Sequence, residues 1–105
     1  MSGGKDMIKD LDIPVFDLEG EQVIDRVRGE DRPATIKNFV VNALALVNGE
    51  QASGEEKMRR YKLAMRLNEG GTQEFTPEEL SLIKSVIGVM YSPLIVGQIY
   101  EWADS

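Results

Sequence analysis

The stretch Phe75-Thr76-Pro77-Glu78-Glu79-Leu80 constrains this chain more than any other, because several independent signals start a helix there. A helix start leaves backbone N–H groups without partners, and each residue answers that need. Thr76 is the expected N-cap, with a hydroxyl that accepts from a free N–H. Pro77 suits the first helical position, where its missing N–H is no loss. Glu79 can reach back to complete a capping box, and Phe75 and Leu80 stand where a hydrophobic staple closes. Ile83, Val86, Ile87 and Met90 then recur at helical spacing, so one broad face is meant for burial.

The other segments read as partners around that helix. Met1 to Asp12 mixes glycine with alternating charge and has few large apolar groups, which predicts a flexible N-terminal arm over residues 1–12. Ile13-Pro14-Val15-Phe16 and Gln22 to Val27 read as two strands joined by a turn containing Gly20, a hairpin over residues 13–28. Two strands alone are marginally stable, so this hairpin must lie on the helices or pair with another chain. Arg28 to Arg32 reads as a loop, and Pro33 as N1 of a helix over about 34–47, stopped by Asn48-Gly49. Ser53 and Glu56 form a second capping box that opens a helix over about 54–68, closed by Gly70-Gly71. Met58, Tyr61, Leu63, Ala64, Met65 and Leu67 surround most of it, which predicts a central helix with a narrow basic stripe. The anchor helix spans 77–90, and Ser92-Pro93 starts a last one over about 93–103. Gly97 and Gly88 lie inside helices, where each costs roughly 1 kcal/mol against alanine, so a close helix crossing is expected at both.

The expected architecture is therefore a single globular domain over residues 13–105. It is α+β and mainly α, with a short hairpin packed on about four helices. No cysteine and no histidine occur in the 105 residues. That removes disulfides, thiol nucleophiles, the commonest general base near neutral pH and the commonest transition-metal ligands. No glycine-rich phosphate loop is present, and the expectation is a protein that is not an enzyme and needs no cofactor. The formal charge of −6, from 18 acidic and 12 basic residues, argues against nucleic acid as a partner over a large surface. No apolar run approaches the roughly 20 residues that span a bilayer, so the expected location is cytoplasmic.

Three clusters invite a functional reading. Asn68 to Glu79 has the length of an EF-hand loop, yet Gly70, Thr72 and Gln73 occupy its third, fifth and sixth positions, which defeats calcium ligation. The acidic group Asp17, Glu19, Glu21 and Asp25 lies where an exposed turn is expected. Arg59, Lys62 and Arg66 fall within about 60° on a helical wheel. That stripe is open to three readings: a solvated face supported by Glu55–Arg59 and Glu56–Arg60 pairs, a contact for another protein, or a track for RNA. Trp102 either packs on the core or offers a partner an anchor. Arg59, Lys62, Arg66 and Trp102 are thus the candidate partner-binding residues.

Several blocks together resemble small proteins encoded by tailed bacteriophages and prophages. They are Pro14-Val15-Phe16-Asp17-Leu18-Glu19-Gly20, Ser53-Gly54-Glu55-Glu56-Lys57, Tyr61-Lys62-Leu63-Ala64, Glu79-Leu80-Ser81-Leu82-Ile83-Lys84 and Tyr91-Ser92-Pro93-Leu94-Ile95-Val96-Gly97. The resemblance runs from about residue 13 onward and is most specific in the last block. It implies no catalytic residues and a setting in the bacterial cytoplasm during phage growth or lysogeny. Binding to another phage protein, as an accessory or assembly factor, is the expected function. A regulator that binds a host protein is the alternative, RNA binding through the basic helix is the weaker one, and self-association is open.

Overall fold

A computed structural model of the chain describes residues 7–47 and 52–105. The anchor helix forms as expected: α3 (Pro77–Met90) is capped by Thr76, whose hydroxyl accepts from Glu79 N–H while Thr76 N–H donates to Glu79 Oε1 at 2.9 Å. Its buried face carries Leu80, Ile83, Val86 and Ile87. Around it stand α1 (Ile36–Leu46), α2 (Gly54–Leu67) and α4 (Pro93–Asp104). Helix α1 packs on α2 and on α3, and α3 packs on α4, so the chain is α+β and mainly α. The Asn48-Gly49 stop lies outside the described residues.

The N-terminal segment corrects the expectation of a flexible arm. Residues 7–10 are not part of a loose arm: β1 (Met7–Asp10) pairs antiparallel with β4 (Thr72–Phe75), Ile8 opposite Glu74. Residues 1–6 lie outside the described part. Burial and hydrogen bonding hold β1 down. Leu11 is fully buried and its N–H donates to Gly71 O, while Lys9 Nζ donates to Ser105 O at 2.8 Å and Trp102 Nε1 to Asp10 O at 2.9 Å. Gly70 and Gly71, both at positive φ, turn the chain out of α2 and straight into β4.

The hairpin is displaced along the chain. It consists of β2 (Ile24–Val27) and β3 (Glu30–Pro33), joined through Arg28 and Gly29 at φ 53° and 82°. Two successive residues at positive φ give the backbone twist that a two-residue hairpin turn requires. Pro33 therefore ends a strand, and the helix opens instead at Thr35, whose N–H donates to Asn38 Oδ1 at 2.7 Å. Ile13 to Phe16 keeps only isolated bridges, Pro14 with Thr35 and Phe16 with Gln22, because Pro14 has no N–H to extend a ladder. Val15 is nonetheless fully buried, and Gln98 clasps both main-chain groups of Phe16, donating to its O at 2.7 Å and accepting from its N at 2.9 Å.

Candidate docking face on helix α2

Ser53 starts α2 by accepting from Glu56 N–H at 3.1 Å. The buried side of the helix is Arg60, Leu63, Ala64 and Leu67. This corrects the expectation of a central helix: Met58, Tyr61 and Met65 are 52%, 57% and 57% exposed. At about 100° per residue they share a stripe about 60° wide, about 140° round the helix from the buried side. Helix α2 lies at the flank of the molecule with one apolar stripe inward and a second outward. The outward stripe could have been found on the wheel, since its residues fall apart from Leu63 and Leu67. It was obscured because methionine and tyrosine normally count as core.

The basic residues divide into three environments. Arg59 and Lys62 are exposed and make no ion pair among the described residues; the expected Glu55–Arg59 and Glu56–Arg60 bridges do not form. Arg66 is held instead by Glu79 at 3.0 and 3.2 Å, by Gln73 Oε1 and by Glu74 O, and its guanidinium lies 5.8 Å from the Phe75 ring centroid. It ties α2 to β4 and α3 and is not free for a partner. Arg60 turns inward.

Trp102 likewise leaves the candidate set. It is 7% exposed, edge-on to Phe75 at 5.5 Å between ring centroids, and its indole N–H is occupied by Asp10 O. The acidic turn is explained by Asp17, whose Oδ1 accepts from Glu19 N–H and Glu21 N–H at 2.9 Å each, a local turn closure. No cluster of three or more carboxylates suited to a metal ion occurs among the described residues. No helix among them is long and apolar enough to cross a membrane.

Grooves run along both sides of the outward ridge. One, of about 570 Å³, has Leu63 and Leu82 as apolar lining, Arg59, Lys62 and Arg66 on the α2 side, and Thr76, Glu78 and Glu79 at the start of α3. The other, of about 300 Å³, lies between α2 and the end of α1 and carries Lys57, Arg60 and Tyr61. The α2 side of both grooves is cationic, Arg59 and Lys62 on one flank of the ridge and Lys57 on the other, while Glu78 and Glu79 line the far wall of the larger groove. No family model, curated protein or solved structure matches the chain.

Proposed function

We propose that this chain is a non-enzymatic protein–protein interaction module that docks through the outer face of α2. Its occupant is a partner segment with an apolar side and acidic flanks, such as an amphipathic acidic helix. The observation that carries this reading is the alignment of Met58, Tyr61 and Met65 outside the core between Arg59 and Lys62 on one side and Lys57 on the other. An apolar patch of this kind is a common mark of a docking surface, methionine adapts to varied partners and tyrosine is frequent among residues that dominate binding. RNA is disfavoured by the charge of −6 and by the engagement of Arg66 with Glu79. The setting we assign is the one the sequence resemblance implies, the cytoplasm of a bacterium carrying phage or prophage, and the role we assign there is that of an accessory or assembly factor.

The test is a titration of protein carrying labelled methionine methyls with a helical model peptide of leucine and glutamate, beside single-stranded oligouridylate. The peptide is expected to move the Met58 and Met65 methyls and the Tyr61 ring. The response should be lost when Arg59 and Lys62 are both changed to glutamate. Peptide shifts that avoid α2, or oligouridylate binding that weakens steeply with salt, would overturn the reading. Capture from infected or induced lysogenic cells with the same pair of proteins then identifies the partner.

A further inference from the structure

Arg60 is a buried cation without an ion-pair partner among the described residues. It is 5% exposed, and its Nε is shielded from solvent without a hydrogen-bond partner. A guanidinium presents five N–H donors in a planar fork, and here the Nε–H is sealed off without an acceptor, which is unfavourable for a charged group. It borders the cleft of about 300 Å³ whose opposite wall is the end of α1, Leu44 to Val47. We infer that this cleft is a binding site for a carboxylate carried on an apolar group, with the carboxylate seated on Arg60.

The chemistry of the walls selects that ligand. A carboxylate matches the guanidinium fork with two parallel hydrogen bonds, which an isolated point charge does not. Lys57, one helical turn before Arg60, borders the same cleft and adds a second positive charge. Two cations are needed there, because the last carbonyls of α1 carry partial negative charge and oppose an anion. The rest of the lining, Leu44, Leu46, Val47 and the Tyr61 ring, favours an aliphatic body over a second polar group. The volume is at the small end for a ligand site and fits one short chain or one side chain. The site shares Lys57 and Tyr61 with the docking face but lies across the α2 ridge from Arg59 and Lys62. The Arg59/Lys62 charge reversal leaves it in place, so the two can fail separately.

The probe is sodium hexanoate, with hexanamide as its neutral counterpart, followed through backbone amide resonances of the full chain. Hexanoate is expected to shift residues 44–47 and 57–61 saturably, and hexanamide to bind at least about tenfold more weakly. Arg60→Met keeps the apolar stem and should abolish the preference for the acid; Arg60→Lys, which keeps the charge without the fork, should retain part of it. The lysine variant also keeps the test open should the methionine variant misfold. A short peptide ending in a free leucine carboxylate separates the sources. Tighter binding than hexanoate assigns the site to a partner's peptide terminus, and weaker binding to a free aliphatic acid. Equal response to hexanamide, no saturation with hexanoate, or unchanged hexanoate binding in both Arg60 variants would overturn the assignment.

Discussion

Arg66 and Glu79 meet through two hydrogen bonds of 3.0 and 3.2 Å, and the same Glu79 carboxylate accepts from Thr76 N–H at 2.9 Å. One acidic side chain therefore caps α3 and fastens α2 to it. Glu79→Ala removes cap, helix-end charge and bridge together and is expected to lower stability by about 1–2 kcal/mol. Arg66 is 44% exposed, so solvent screens its share, and Arg66→Ala should lose no more than about 1 kcal/mol. Urea denaturation of the two single variants and the double variant checks this. A coupling near zero would mean the pair is positioned by its neighbours and not by mutual attraction.

Where punctuation was local, the sequence was legible. Three helices start where Ser53, Thr76-Pro77 and Ser92-Pro93 mark them: Ser53 and Thr76 cap through their hydroxyls, while Ser92 makes no side-chain cap bond and Pro93 at the first turn marks that start. Strand pairing was not legible, because β1 and β4 are joined across more than sixty positions and Thr72-Gln73-Glu74-Phe75 has only one apolar residue to mark it. The hairpin was misplaced because Arg28 adopts a left-handed φ that favours glycine, asparagine or aspartate, so Arg28-Gly29 does not look like a turn pair. At the candidate site Arg59 and Lys62 were found, while Met58, Tyr61 and Met65 were assigned inward and Arg60 outward. Such errors come from ranking faces by composition when a helix has two apolar stripes.

The two helix-interior glycines should respond in opposite ways. A Cβ at Gly97 would meet nothing within 4 Å, so the expected close crossing is absent there and Gly97→Ala should raise stability by up to about 1 kcal/mol. A Cβ at Gly88 would lie 2.9 Å from Tyr100 Oη, which donates to Lys84 O at 2.8 Å. Gly88→Ala should therefore be less stable than Gly97→Ala, and its deficit should shrink in a Tyr100→Phe background. Thermal denaturation of wild type, the three single variants and the Gly88→Ala/Tyr100→Phe double variant decides the order; equal gains at both glycines would contradict the crossing at Gly88.

Trp102 secures the N-terminal strand from the opposite end of the sequence. Trp102→Phe preserves an aromatic ring against Phe75 but leaves Asp10 O without its indole donor, an expected loss of about 1–3 kcal/mol. Hydrogen exchange should accelerate first at β1 and at Leu11 N–H, which donates to Gly71 O. Uniform acceleration over the whole chain would show that β1 opens only with global unfolding.

Tyr91 is expected to cost the fold stability at alkaline pH. Its ring packs edge-on against Phe39 at 5.0 Å, and burial raises the phenol above its ordinary 10.0; the nearby Asp25 carboxylate adds to the rise, and a hydrogen bond with the Asn42 side chain offsets part of it. The folded chain thus holds the proton more tightly than the unfolded chain. Its contribution is fully present below about pH 10 and is lost as pH rises through the folded value, because the unfolded state ionises first. Wild type should lose more stability than Tyr91→Phe over that window, and Asp25→Asn should reduce the wild-type loss by lowering the phenol back toward its ordinary value. Ultraviolet difference absorbance follows the phenolate directly while denaturation at each pH follows stability. Parallel alkaline decline in wild type and Tyr91→Phe would place the phenol in contact with solvent in the folded protein and remove it as the source of that loss.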